Sequence, residues 1–118
     1  RCEGSLDVFS GDDKPTLEAI KNGAKGVISV AANLAPKFMH DLCYFGLNHE
    51  WTKAEMIYQK LLPIFEILSL ETNPIPIKWA LYKMKMIEKD LRLPMTHLSS
   101  EFRLQVESAM RKLDLVFE

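Results

Sequence analysis

Residues 6–30 read LDVFSGDDKPTLEAIKNGAKGVISV, in which two apolar segments flank a helical pattern. Residues 6–10 and 26–30 predict β-strands, because both are rich in β-branched or aromatic side chains and are bounded by glycine. Between them, Asp13 is a candidate helix cap and Gly23 a stop signal. A strand, a helix and a strand at this spacing predict a βαβ unit with parallel strands and a right-handed crossover.

The rest of the chain predicts helices. Thr52 and Glu55 have the spacing of a capping box, and Trp51 and Met56 can form a hydrophobic staple across it. Pro63 falls inside the helix that follows, where it removes a backbone hydrogen bond and predicts a kink. Helices are expected to start near Pro36, Thr52, Pro74 and Ser99 or Ser100, the third ending near Ile87. Their apolar faces are expected to contain Phe38, Leu42 and Phe45; Ile57, Leu61, Ile64, Phe65 and Leu68; and Phe102, Val106, Ala109, Leu113 and Val116.

Length, charge and cysteine content restrict the class of protein. The 118 residues predict one domain, and 15 basic against 16 acidic residues give a net charge of -1. Without a basic run, nucleic-acid binding is not expected. No apolar run approaches the ~18 residues of a membrane span and no signal peptide is recognised, so no membrane association is expected. Cys2 and Cys43 lack CxxC spacing and predict thiols in a reducing cytosol rather than a disulfide.

Two parallel strands are too few to form a stable sheet. A parallel sheet is covered on both faces, and an isolated pair of strands buries too little area. The residues therefore predict that the chain is the end of a larger βα array, most economically a (β/α)8 barrel with a helical appendix. Arg1, in place of an initiator methionine, agrees with this hypothesis. The alternative is a compact helical domain with a two-stranded ribbon.

In such a barrel, the residues that follow each strand form the rim of the active site. They are residues 10–13 after the first strand and 30–33 after the second. Asp12 and Asp13 are candidate general bases or metal ligands, but helix capping is favoured because carboxylates bind the free N–H groups at a helix start. Gly11 either allows close approach of the backbone to a ligand or adopts a positive φ.

Other side chains give no catalytic set. Ile28 and Ser29 lie on the second strand, where they line a pocket or fill the core. The histidines lack metal-ligand spacing and are expected in surface or structural roles; they are His40, His49 and His97. The lysines considered as Schiff-base nucleophiles, and better explained by position, solvation or ion pairing, are Lys14, Lys25, Lys37, Lys53 and Lys78. The residues alone predict the wall of a site, without a nucleophile, a metal centre or a bound cofactor.

Four segments combine into one pattern. They are SGDD at residues 10–13, KGVISVAANLAP at 25–36, NPIPIKWA at 73–80 and LRLPMT at 91–96. In this order and spacing they resemble the dihydrodipicolinate synthase family of pyruvate-dependent class I aldolases, and the resemblance covers nearly the whole chain. Sialic-acid lyases and keto-deoxy-sugar aldolases share the fold and are the alternative. The departures from the family pattern are Ala31, Thr72 and His97, which concern the shape of the rim.

The resemblance implies that residues 1–50 are the last two strand–helix units of a (β/α)8 TIM barrel and that residues 51–118 are a C-terminal helical domain. It implies a Schiff-base lyase that condenses pyruvate with aspartate 4-semialdehyde in the diaminopimelate pathway to lysine, without a metal or bound cofactor. Gly11 and Ile28 match family positions that line the pyruvate pocket.

The resemblance also implies where the chemistry lies. The family's catalytic lysine and proton relay would precede Arg1, so no catalytic residue is expected in this chain, which is predicted to be inactive alone. A cytoplasmic homo-oligomer is implied, commonly a tetramer. The second hypothesis is a non-catalytic fragment that serves as an assembly module.

Overall fold

The structure, a computed structural model, describes residues 4–115. Within this range the first two strands and the helix between them precede a helical region. The elements are β1 (Phe9–Ser10), α1 (Thr16–Lys21), β2 (Gly26–Val27), a 3₁₀ helix (Ala31–Asn33), α2 (Pro36–Leu47), α3 (Trp51–Leu68), α4 (Ile75–Lys83) and α5 (Ser100–Lys112).

Strands β1 and β2 are parallel, which confirms the predicted βαβ unit. Phe9 is opposite Gly26 and Ser10 is opposite Val27. Both strands are shorter than predicted, because in the described range each has a pairing partner on one side only. The Lys25 N–H donates to the Val8 carbonyl at 2.7 Å, just before the ladder. This short sheet leaves apolar side chains uncovered, with exposed fractions of 67% for Leu6, 54% for Val8, 53% for Phe9 and 74% for Ile28.

The predicted helix starts are wrong in their capping chemistry. Helix α1 begins at Thr16 after Pro15, and the Asp13 carboxylate does not cap it. Helix α3 begins at Trp51 after Glu50, without a side-chain cap, so Thr52 lies inside the helix and the capping box does not form. Ser99 occupies the cap position of α5, but its hydroxyl makes no cap bond to that helix. Pro63 lies inside α3 as expected.

Four helices end in the same way, in a residue with positive φ. After α1, α2, α4 and α5 these residues are Gly23 (φ 104), His49 (φ 60), Lys85 (φ 60) and Asp114 (φ 55). In each case the N–H of this residue bonds three residues back and the next N–H bonds five residues back, the pattern of a Schellman motif. This motif ends α4 at Lys83, before the predicted end at Ile87.

One hydrophobic core contains residues from both sides of position 50. Leu61, Ile64 and Phe65 are buried on the predicted stripe of α3, and Ile57 and Leu68 pack against them partly buried. On α5 the predicted Val106, Ala109 and Leu113 are buried, while Val116 lies outside the described residues. The largest fully buried hydrophobic side chains are Leu42, Leu61, Ile64, Leu98, Val106 and Met110. The Tyr58 hydroxyl also donates to the Lys14 carbonyl at 3.0 Å, joining α3 to the loop after β1.

Candidate functional site

The loop after β1 is closed by its own polar groups. The Ser10 hydroxyl donates to the Asp12 carbonyl at 2.7 Å, so the turn passes around Gly11. The Thr16 hydroxyl donates to the same carbonyl at 3.1 Å. The Asp12 carboxylate accepts the N–H of Asp13 at 2.8 Å, which leaves its side chain local to this turn. The loop is therefore a defined rim element.

Asp13 points away from its own helix and towards the loop after β2. Its side chain is 6% exposed. Its Oδ2 atom accepts the N–H of Ala31 at 2.9 Å, and its Oδ1 atom accepts the hydroxyl of Ser29. Ser29 Oγ in turn accepts the N–H of Ala32 at 2.9 Å. Asp13 and Ser29 together cap the 3₁₀ helix of the second unit, so the capping role favoured for Asp13 occurs, but at a helix 18 residues away.

The two positions expected to line a pocket lie on neighbouring loops at the same edge of the sheet. Gly11 directly follows β1, and Ile28 directly follows β2. The N–H of Ile28 donates to the Ser10 carbonyl at 2.9 Å, which fixes its backbone next to the Gly11 turn. The side chain of Ile28 is exposed rather than packed in the core. Ile28 therefore presents both its backbone and its side chain at this edge.

The conformation of Gly11 removes one of its two explanations. Its φ lies outside the left-handed region that favours glycine. A Cβ atom added there would meet no other atom within 4 Å. The glycine is therefore not required by the turn, and the space beside it is open on the side where a Cβ would stand.

A recess lies behind the rim, between the loop after β1 and the end of α3. Its volume is about 180 Å³. Its wall combines polar and apolar side chains, which belong to Asp12, Asp13, Lys14, Val30, Phe65, Leu68, Ser69 and Asn73. Among residues 4–115 no three His, Cys, Asp or Glu side chains come close enough to hold a metal ion.

The histidines and lysines stay outside this rim, with one exception. His40, His49 and His97 are exposed on different elements, which confirms their predicted surface positions. Lys14 lines the recess. Lys78 is half-buried on α4, and within the described part of the chain the salt bridge of that helix joins Lys83 to Glu107 at 3.4 Å. Lys53 pairs with Glu50 at 3.1 Å on the surface.

Burial modifies the one cysteine that the structure describes. Cys43 is a half-buried free thiol, whereas Cys2 lies outside the described residues. Burial, followed by the negative charge of Asp13, raises the pKa of the Cys43 thiol above its ordinary value. A raised pKa reduces the thiolate fraction of Cys43 near neutral pH. Within residues 4–115 no helix combines the length and apolarity needed to cross a membrane.

The link between Asp13 and Ser29 was missed by sequence reasoning. The signal that predicts it is topological, because residues that follow parallel strands meet at one edge of the sheet. The sequence around each residue gives no sign of the other, and their separation of 16 residues matches no helical or turn spacing.

The described residues form a parallel strand–helix–strand unit with rim loops at the carboxyl ends of its strands and a helical region packed behind it. This arrangement defines an α/β fold in which the loops after the strands are the expected place for a site. A family model described as the dihydrodipicolinate synthetase family matches residues 1–113. The chain belongs to this family.

The chain is also similar to curated relatives and to solved structures. The chain is 44% identical over 115 residues to the 4-hydroxy-tetrahydrodipicolinate synthase of Legionella pneumophila strain Corby, covering 98% of this chain and 40% of the relative. The Aquifex aeolicus dihydrodipicolinate synthase structure is 39% identical with a TM-score of 0.94, covering 98% of this chain and 39% of that one. The Acinetobacter baumannii dihydrodipicolinate synthase, a pyruvate complex, is 37% identical with a TM-score of 0.93, covering 97% and 39%. The chain thus spans about two fifths of the length of these relatives.

Proposed function

We propose that this chain is the C-terminal portion of a 4-hydroxy-tetrahydrodipicolinate synthase, a cytoplasmic lyase that condenses pyruvate with aspartate 4-semialdehyde on the diaminopimelate route to lysine. The observation that carries the proposal is the pairing of the Gly11 and Ile28 loops through the 2.9 Å bond from the Ile28 N–H to the Ser10 carbonyl. Family membership supplies the reaction, and this edge of the sheet supplies a place for its smaller substrate.

In this proposal Gly11 and Ile28 form part of the wall of the pyruvate pocket. The open space beside Gly11 lets a small keto acid approach the backbone closely. The exposed backbone and side chain of Ile28 limit the pocket on the opposite side. These residues bind and orient pyruvate and exclude water; none of them forms the covalent bond.

The nucleophile is a lysine supplied by the part of the protein outside these 118 residues. Its amine attacks the keto carbon of pyruvate, water leaves, and loss of a methyl proton gives an enamine. The enamine carbon then bonds to the aldehyde carbon of aspartate semialdehyde. The amine of that substrate attacks the imine carbon, which closes the ring and expels the lysine amine. The chain alone is therefore inactive, and the reaction requires no metal or bound cofactor.

The exposed apolar side chains of the short sheet support a larger barrel. Leu6, Val8, Phe9 and Ile28 are each more than half exposed, and a parallel sheet is stable only when both of its faces are covered. We assign residues 6–10 and 26–30 to the last two strands of the family's (β/α)8 barrel, within two strand–helix units that span residues 1–50. Residues 51–118 are assigned to a helical domain that follows. The other barrel strands would cover the exposed side chains of this sheet.

We also propose that the protein is a homo-oligomer, a tetramer as in its family, and that an apolar groove between α1 and α3 contributes to the contact. Trp51 and Met56 form its apolar surface, and Met56 is 60% exposed. Lys21, Lys60 and Glu55 place both signs of charge around it. A two-fold contact needs a self-complementary surface, which this arrangement of charges allows.

Analytical ultracentrifugation of the full-length protein tests the assembly. Met56→Glu places a charge in the groove and should reduce the oligomer to a smaller species. Leu104→Glu, at a residue 76% exposed on α5, is the matched control and should leave the oligomer unchanged. An unchanged oligomer in the Met56→Glu variant would place the contact elsewhere.

Borohydride trapping with pyruvate tests the reaction. In the full-length protein, peptide mass spectrometry should locate the reduced pyruvate adduct on a lysine outside residues 1–118, and the 118-residue chain alone should give no adduct. Lys78→Arg, at a half-buried lysine of α4, should leave the labelling of the full-length protein unchanged.

Three other outcomes would contradict parts of the proposal. An adduct on Lys78 or on another lysine of this chain would overturn the assignment of the nucleophile. An adduct without turnover of aspartate semialdehyde, but with turnover of a sugar aldehyde, would favour a sugar aldolase of the same superfamily. A folded full-length protein with neither adduct nor pyruvate consumption would favour the non-catalytic assembly module.

A further inference from the structure

The geometry points to Asp13 and Ser29 as a positioning pair that holds the Gly11 and Ile28 loops at the spacing pyruvate requires. This inference rests on the proposed function, because it concerns the same pocket. Neither residue is assigned a contact with the substrate. Their effect is exerted through the backbone of the residues beside them.

Asp13 and Ser29 bind each other and two backbone N–H groups. The buried carboxylate of Asp13 accepts the Ser29 hydroxyl through one oxygen and the Ala31 N–H, at 2.9 Å, through the other. The Ser29 oxygen is used twice, because it also accepts the Ala32 N–H at 2.9 Å. Removal of either side chain leaves buried donors or acceptors without a partner, which folded proteins avoid by moving the backbone or admitting water.

These bonds connect the loop that contains Gly11 with the loop that contains Ile28. Ser29 directly follows Ile28, and Asp13 lies two residues after Gly11. On the other side of the same pair of loops, the Ile28 N–H donates to the Ser10 carbonyl at 2.9 Å. Two bonds thus fix the spacing between Gly11 and Ile28. One joins the Ile28 N–H to the Ser10 carbonyl. The other joins the Ser29 hydroxyl to the Asp13 carboxylate, after both residues in the chain.

The backbone bond alone does not fix the chain beyond Ile28. The strand ladder ends at Ser10 and Val27, so beyond Ile28 no further sheet bond joins the two loops among the described residues. From there the chain turns into the 3₁₀ helix, whose first free N–H groups are those bound by Asp13 and Ser29. The pair therefore sets the direction in which the chain leaves Ile28.

Steady-state kinetics of the full-length protein test the inference. Asp13→Ala and Ser29→Ala should each raise the KM for pyruvate by about 10-fold, with a smaller change in the KM for aspartate semialdehyde, because a displaced wall weakens orientation of the first substrate. Ser29→Thr keeps the hydroxyl and should restore the KM to within about 2-fold of the unmodified protein.

A control separates positioning from loss of stability. Val106 is fully buried on α5, and Val106→Ala destabilises the protein without touching the rim. It reduces the folded, active fraction and hence the apparent kcat, but leaves the KM for pyruvate unchanged. Thermal unfolding measures the stability of every variant, so that each change in KM can be compared with the change in stability.

The outcomes distinguish this inference from the proposed function. A parent protein that consumes pyruvate, with Ser29→Ala lowering only the apparent kcat as Val106→Ala does, would overturn the positioning role and leave the function intact. A folded parent protein that neither traps nor consumes pyruvate would overturn the function itself. If Asp13→Ala does not fold, the Ser29→Ala and Ser29→Thr pair decides, since neither changes a charge.

Discussion

The carboxylate of Glu71 accepts the N–H of Ser99 at 2.9 Å, across 28 residues of sequence. Ser99 precedes the first turn of α5, so an acidic side chain from the segment after α3 lies at the start of the last helix. Hydrogen bonds from the Ser99 hydroxyl and then from its N–H lower the pKa of Glu71 below its ordinary 4.5, against a smaller opposing effect of burial. Glu71 thus ties α5 to the rest of the helical region.

Glu71→Gln should lower stability at neutral pH and have little effect in acid. Because the pKa of Glu71 is lower in the folded than in the unfolded protein, its contribution is present above 4.5 and is lost as the pH falls through the lowered value. The difference in urea midpoint between the parent and the variant should therefore disappear at low pH. Glu88→Gln, at an exposed loop residue, is the control. A pH-independent difference would contradict the ionic origin of the effect.

Removing a glycine after one helix and introducing a glycine after another should change the stability of the protein in opposite directions. Gly23 (φ 104) and Asp114 (φ 55) both follow a helix in the left-handed region. Gly23→Ala should destabilise the protein by about 1 kcal/mol, because its side chain would meet open space and only the backbone conformation is penalised. Asp114→Gly should stabilise it by up to about 1 kcal/mol. Chemical denaturation measures both, and a destabilised Asp114→Gly variant would contradict this explanation.

Two leucines on neighbouring helices should differ strongly in their contribution to stability. Leu61 on α3 is fully buried, whereas Leu104 on α5 is 76% exposed. Leu61→Ala should cost about 2–5 kcal/mol, because it removes buried methyl groups and leaves a cavity. Leu104→Ala should change the free energy of unfolding by no more than about 0.5 kcal/mol. Equal effects in urea denaturation would contradict the placement of the core between these helices.

Cys43 should react slowly with thiol reagents. Burial and the charge of Asp13 raise its pKa above the ordinary 9.0, so the thiolate fraction is reduced in the folded protein. In a Cys2→Ser background, the rate of alkylation should rise with pH through a midpoint above 9.0. The same protein in denaturant supplies the control, since its thiol should titrate near the ordinary value. A folded-state midpoint below that of the denatured protein would contradict the assignment.

The pattern of apolar residues predicted the order of strands and helices and most of the buried faces. These predictions succeeded because the repeat of side chains along a helix or strand is a local property of the chain. The capping predictions at Asp13, Thr52 and Ser99 failed, because spacing identifies a side chain able to cap but not the N–H group that it reaches. Asp13 lies next to Ala31, 18 residues away, because the pairing of β1 with β2 brings the carboxyl ends of the two strands together.

The same distinction applies to the candidate site. The sequence by itself determined the βαβ unit and the family, since the motifs at residues 10–13 and 25–36 are continuous stretches that can be recognised without a structure. It left open whether Gly11 serves a turn or a neighbouring ligand. Only the tertiary structure decided that the turn does not need a positive φ there, and that Asp13 binds Ser29 rather than its own helix. The physical reason is that hydrogen bonds between loops depend on which strand ends lie next to each other in the sheet. The spacing of residues along either loop does not contain that information.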